Sequence, residues 1–332
     1  MTKNNPQQGK RAAVVINPMK SPDEHFQATI TELCINAGWD EPLWLETTQE
    51  DPGRGQAAEA LEAGVDVVIA GGGDGTIRAV AEVLAGQDTP MGLLPLGTGN
   101  LLARNLGIDI EDPAKAVLGV LEGAESKIDV IVAVLDHGAK ELTFLVAAGL
   151  GYDAAIMSNT MEGLKDRVGW LAYVESGIRN LRGEPVTAHI SMDGKSETHH
   201  KVRGVMVGNC GKVMGGLEIF QGAVPTDGIL DLMTFSPQQK FGWLGVVAGV
   251  LGRGKSRAVR SLAGKRAEIT LSSPQEFQID GDPVGLVSHL LVSVDPLALT
   301  IKMSASSEKK SESEVSGRQS HTSPQLLLSS EN

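Results

Sequence analysis

The chain has 332 residues, 41% of them hydrophobic and 21% charged, enough for two domains with separate cores. Its formal charge of −12 excludes the broad basic surface of a nucleic-acid binder and opposes wholesale adsorption to anionic lipid. Cys34 and Cys210 form no metal or disulfide framework, residues 1–11 lack a signal peptide's apolar core, and no run of about eighteen apolar residues spans a membrane.

Residues 12–17 are an apolar run ending in Asn17-Pro18, a strand meeting a turn. Residues 23–37 read as a helix, with Ser21 or Pro22 near its start and Gly38 past its end. A weak strand at 43–45 and a helix at 56–63, stopped by Gly64, follow. Then come a strand at 65–70, a glycine turn, a helix at 77–84 and a strand at 91–94. This βαβα order predicts an α/β domain with a doubly wound, mostly parallel sheet.

Beyond residue 129 the strand-like runs succeed one another, at 131–135, 141–147, 187–192, 202–207, 229–235, 268–271, 276–279 and 290–294. Many alternate apolar and polar residues, which predicts a β-sandwich-like second domain with antiparallel strands. A helical insertion is expected at 152–181, and the Ser-, Lys- and Glu-rich end reads as a disordered tail. The expected units are 10–134, 135–302 and 303–332.

The chemistry concentrates in Gly71-Gly72-Gly73-Asp74-Gly75-Thr76, between a strand and a helix. Glycines let the backbone approach a ligand, and a helix start offers N–H groups and positive potential to phosphate. Asp74 would repel bare phosphate, so its presence points to a divalent metal or a water on that metal. The pattern is neither GxGxxG nor GxxxxGK[ST]. A second turn, Pro95-Leu96-Gly97-Thr98-Gly99-Asn100, also joins a strand to a helix, and two such turns at one sheet edge make a ligand crevice.

These two turns, with Asn17-Pro18, resemble the catalytic domain of diacylglycerol kinases, sphingosine kinases and related bacterial lipid kinases. In the second half, Val224-Pro225-Thr226-Asp227-Gly228-Ile229-Leu230-Asp231 resembles the family's DGxLD segment, and Gln278-Ile279-Asp280-Gly281-Asp282-Pro283 its DGE-P segment. The resemblance covers about residues 10–302. NAD kinases share the first motif and are expected to lack the second motif and the β-sandwich pattern.

The resemblance implies ATP bound in the N-terminal domain and a cleft against the β-rich domain. Asn17, Thr47 or Thr48, Gly72, Gly73, Asp74, Gly75, Thr76, Gly97, Thr98 and Asn100 would line the nucleotide, with Asp74 facing Mg2+. Asp280 and Asp282 are the two candidates for taking the acceptor's hydroxyl proton. The family's second acid is glutamate, and Asp282 is one methylene shorter. Taken alone, Asp280-Gly281 is also an ordinary type I′ or II′ hairpin turn. Asp129 is assigned a secondary catalytic role near the metal. Asp227, with the carbonyls of Val224 and Ile229, matches a structural Mg2+ site, although an Asx turn before Gly228 accounts for it equally well. Lys165 is a further candidate for reaching phosphate. Two departures from the family are Met19-Lys20-Ser21-Pro22 in place of a glycine-rich loop, and Leu101 where many members have an acid.

Residues 241–251 are apolar, and 253–266 carry six basic residues and no acid, a composition suited to peripheral contact with an anionic bilayer. The equally simple alternative is a core helix followed by a solvated loop. The reading reached is an ATP-dependent lipid kinase, cytoplasmic or peripheral at the inner face of the membrane, binding no nucleic acid and able to form a homodimer through a β-edge. The alternatives are a kinase for a non-lipid alcohol and a nucleotide-binding regulator that has lost catalysis.

Overall fold

The computed structural model describes residues 9–21, 23–151, 185–213, 218–236, 259–304 and 307. The segments expected as a helical insertion at 152–181 (with Lys165), as the apolar run at 241–251 and as most of the tail lie outside the described residues, as do 253–258 of the basic run. No helix among the described residues is long and apolar enough to cross a membrane.

The N-terminal unit runs β1 (Ala12–Ile16), α1 (Phe26–Asn36), β2 (Leu43–Glu46), α2 (Arg54–Glu62), β3 (Val67–Gly72), α3 (Asp74–Leu84), β4 (Met91–Pro95), α4 (Leu101–Asn105) and α5 (Pro113–Glu122). Its strands pair in parallel in the order β2-β1-β3-β4. Every residue of β1, β3 and β4 is buried, because helices cover both faces of the sheet. Val14 and Ile69 face Phe26 and Ile30 of α1 and Val117 of α5. Val15 and Val68 face Ala57 of α2 and Ile77 and Val80 of α3. The helix α5 is absent from the sequence reading, although its signals are local: Asp112 Oδ1 accepts from Lys115 N, and Pro113 opens the first turn.

The second unit is antiparallel. Its strands are β5 (Ala124–Leu135), β6 (Lys140–Phe144), β7 (Ala147–Leu150), β8 (Val186–Met192), β9 (Thr198–Val202), β10 (Gly204–Gly208), β11 (Leu230–Phe235), β12 (Val259–Gly264), β13 (Arg266–Ile279) and β14 (Asp282–Met303). Phe144, Leu150, Ile190, Leu232, Ile269, Phe277 and Leu290 share its core. The fold class is therefore the expected one, an α/β domain followed by a β-sandwich domain.

Several runs read as separate strands merge. Residues 268–271 and 276–279 belong to one strand, β13, with a register shift between Thr270 and Gln275. The run at 290–294 is the middle of the 22-residue β14. The run at 141–147 breaks at Leu145-Val146 into β6 and β7. Residues 259–264 of the basic run form the strand β12. At its far end β14 returns to the first unit, where Ile301 and Lys302 pair in parallel with Met91 and Gly92 of β4. The two units thus share one hydrogen-bonded sheet, which fixes the β13–β14 turn relative to the glycine turns.

Candidate active site

β3 ends at Gly72, Gly73 is the extended N-cap, and α3 begins at Asp74. The two glycine turns lie against each other: a Cβ on Gly97 would stand 2.6 Å from the Cα of Gly73. That approach excludes any side chain at Gly97. At Gly72 a Cβ would meet the Thr76 hydroxyl at 2.7 Å. Asn100, buried and left-handed at φ 48, shapes the second turn from inside. Its Oδ1 accepts from Gly97 N at 3.0 Å and its Nδ2 donates to Gly97 O at 2.8 Å. Asp74 ties the turns together, Oδ1 accepting from Leu101 N at 2.6 Å.

The carboxyl ends of β1 and β2 complete this rim. Asn17 N donates to Gly71 O at 2.8 Å, and Asn17 Oδ1 accepts from Met19 N at 3.0 Å. Thr47 is buried and donates its N–H to Ile16 O at 2.9 Å. Thr98 is exposed at the tip of the second turn. Asn17, Thr47, Gly72 to Thr76 and Thr98 therefore lie at the carboxyl edge of one parallel sheet, the usual ligand edge of such folds.

The second domain brings two carboxylates to this edge. Asp280 and Gly281 take φ 48 and 95 between paired Ile279 and Asp282, a two-residue type I′ hairpin turn. Asp280 is buried, and its oxygens accept from Leu145 N, Val146 N and Ala147 N at 3.2, 3.1 and 2.9 Å. Burial pushes its pKa up, against the opposing pull of Arg78 and those three N–H groups. The break between β6 and β7 supplies these donors. Asp282 is half exposed and stands at the start of α3, where a Cβ on Gly75 would lie 3.3 Å from its Oδ2.

Arg78, one turn along α3 from Asp74, reaches across to this turn. Its Nη2 donates to Asp282 Oδ2 at 2.7 Å and its Nη1 to Ile279 O at 2.9 Å. The sequence reading did not single out Arg78; its signal was the i, i+4 spacing from Asp74, which puts both on one helix face. Burial raises the Asp74 pKa to about 6, with the charges of Asp280 and Asp282 adding to the shift and the Leu101 N–H opposing it. Backbone N–H groups take the Asp280 oxygens and Arg78 pairs with Asp282. Asp74, at the N-terminus of α3, is the acid of the three whose hard carboxylate best suits a divalent cation.

Asp129 makes a different connection. It is fully buried, Oδ1 accepting from Leu297 N at 2.8 Å and Oδ2 from Gly228 N at 2.7 Å. Its own N–H donates to Pro225 O at 2.7 Å. Both oxygens thus hold loops in place, and burial raises its pKa, with Asp295 as the neighbouring like charge. Asp227 Oδ1 accepts from Ile229 N at 3.0 Å, the Asx turn anticipated before Gly228. Val224 is buried in the same loop. Asp129, Val224, Asp227 and Ile229 are therefore one group, and Asp74, Asp280 and Asp282 another. Asn209, also absent from the sequence reading, braces the first group: its Nδ2 donates to Asp129 O and Leu145 O at 3.1 and 3.0 Å.

The fold is an α/β domain joined to a β-sandwich domain, and the comparisons name the family. Residues 11–133 match the diacylglycerol kinase catalytic domain, and residues 146–303 match the YegS C-terminal NAD kinase beta sandwich-like domain. The second match corrects the expectation that NAD kinases lack the β-sandwich. A protein of Pseudomonas fluorescens named "Probable lipid kinase YegS-like" is 32% identical over 83% of this chain and 89% of its own length. One of the same name from Pseudomonas putida is 31% identical over 90% of this chain and 97% of its own length. Among solved structures, a diacylglycerol kinase from Bacillus anthracis aligns with a TM-score of 0.65 at 21% identity, over 90% of this chain and 98% of that one. An NAD kinase from Archaeoglobus fulgidus, in complex with ATP, aligns with a TM-score of 0.52 at 12% identity, over 92% of this chain and 98% of that one. The chain belongs to the YegS-like lipid kinase family, with a diacylglycerol kinase catalytic domain.

Proposed function

We propose that the protein is an ATP-dependent lipid kinase that transfers the γ-phosphoryl group to a hydroxyl of diacylglycerol or a related long-chain lipid. The observation that carries this reading is the meeting of Asp282, from the second domain, with the start of α3 in the first. Phosphoryl transfer asks a protein for positioning, charge neutralisation and a group to take the hydroxyl proton. The N–H groups of the turn at Gly72 to Thr76 hold phosphates, and Asn17, Thr47, Gly97, Thr98 and Asn100 shape the nucleotide's seat. Use of ATP is supported by the ATP complex of the distant Archaeoglobus fulgidus fold relative.

Asp282 takes the proton from the acceptor hydroxyl, and Arg78 holds that carboxylate in place. Asp280 acts as a positioning residue, because its oxygens are committed to three backbone donors. Asp74 holds Mg2+, which when bound neutralises charge on the transferring phosphoryl oxygens. Asp129 positions the loop in which Asp227, with the carbonyls of Val224 and Ile229, holds a structural Mg2+.

A second reading, a nucleotide-binding regulator without transfer, draws on the same pair, since Arg78 occupies Asp282. ATP binding measured separately from phosphorylation of a lipid extract distinguishes the two. Binding with no lipid product supports the regulator.

A further inference from the structure

Among the described residues β9 pairs with β8 alone, which makes it an edge strand of the described sheet. Three of the chain's seven histidines lie on this hairpin. In β8, Ala188, Ile190 and Met192 are buried in the second core, which turns His189 to the outer face. The antiparallel register sets His189 directly opposite His199, with Glu197 two residues before His199 on the same face. His200, opposite buried Ala188, belongs to the other face.

Side-chain geometry draws the three outer residues together. His189 Nδ1 lies 2.9 Å from Glu197 Oε1. The His189 and His199 rings meet edge to face, with centroids 4.4 Å apart. One ligand atom from each of the three lies within 4.8 Å of the others. Tetrahedral zinc needs donors roughly 3.3 Å apart, a contraction that rotation of the exposed Glu197 and His199 side chains supplies.

We propose that His189, Glu197 and His199 bind a divalent transition metal of the zinc class, with water completing the shell. Two imidazole nitrogens and one carboxylate suit zinc, whereas Mg2+ prefers an all-oxygen shell. The carboxylate of Asp74 has the opposite preference, so the two places favour different ions. A metal here ties β9 to β8 across the hairpin and screens an edge otherwise free to pair with another chain.

The test is calorimetric titration of the full-length, chelator-treated protein with ZnCl2 in excess Mg2+, which fills the oxygen sites. Wild type is expected to bind one zinc at this hairpin and to gain in melting temperature. His189→Ala and His199→Ala should each weaken that binding by at least about tenfold, while His200→Ala retains it. Imidazole proton resonances of His189 and His199 should shift on zinc addition. Absence of zinc binding in wild type, or binding unchanged in His199→Ala, or an equal loss in His200→Ala, would overturn the proposal.

Discussion

Arg78 Nη2 stands 2.7 Å from Asp282 Oδ2, across 204 positions of sequence. The same guanidinium donates to Ile279 O at 2.9 Å, so one side chain of α3 grips the β13–β14 turn on both sides. The pair is half exposed at Asp282, so its contribution to global stability is modest, and its consequence lies in placement. Arg78→Ala is expected to lower kcat by about 10–100-fold, since a displacement of about 1 Å at a reacting group costs that much. Thermal stability should change little, and Arg78→Lys should recover part of the rate. Unchanged kcat in Arg78→Ala would remove the positioning role.

The adjacent acid should behave in the opposite way. Asp280 satisfies three buried backbone donors, so Asp280→Ala leaves them unpaired and should cost about 2–5 kcal/mol. Asp282→Ala should stay within about 1 kcal/mol of wild type. Urea unfolding of the two variants checks the contrast, and equal stability losses would count against the division of roles.

The close approach of the glycine turns predicts intolerance at Gly97. A Cβ there would lie 2.6 Å from backbone at Gly73, which cannot rotate away. Gly97→Ala should separate the turns, cost about 1–3 kcal/mol and weaken ATP binding more than it weakens lipid binding. Calorimetric titration with ATP measures this, and wild-type affinity in the variant would refute it.

Asp74 gives a pH dependence of definite sign. Its folded pKa is raised from 3.8 to about 6, so the folded state binds the proton more tightly than the unfolded chain. The associated stability is fully present below pH 3.8 and is lost as pH rises through about 6. In metal-free protein the wild-type melting temperature should fall between about pH 4 and 6 relative to that of Asp74→Asn. Parallel pH profiles for the two proteins would contradict this assignment.

What was legible in the sequence was mostly local. The strand–glycine–helix junction at Gly72 to Asp74 and the Asp280-Gly281 turn each state their geometry within a few residues. The parallel order of β1 to β4 follows from the same alternation. What was not legible depended on distant partners. Asp280 and Asp282 are equivalent carboxylates in the sequence, and distant partners separate them: the N–H groups of Leu145 to Ala147 for Asp280 and Arg78 for Asp282. The return of β14 to β4 is equally non-local, because a strand's register with a segment some two hundred residues away leaves no trace in its own alternation. Asp129 is a further non-local case: its buried oxygens accept from Gly228 and Leu297, contacts that only folding reveals.

The central claim is that Asp282, delivered by the second domain, serves transfer of phosphate from ATP to a lipid hydroxyl. Its most direct test is transfer of label from γ-labelled ATP to diacylglycerol in mixed micelles, and to a total lipid extract, by wild type and Asp282→Ala. Wild type should label a lipid, and the variant should do so about 10²–10⁴-fold more slowly while still binding ATP. No labelled lipid from wild type, or equal rates in the two proteins, would contradict the account.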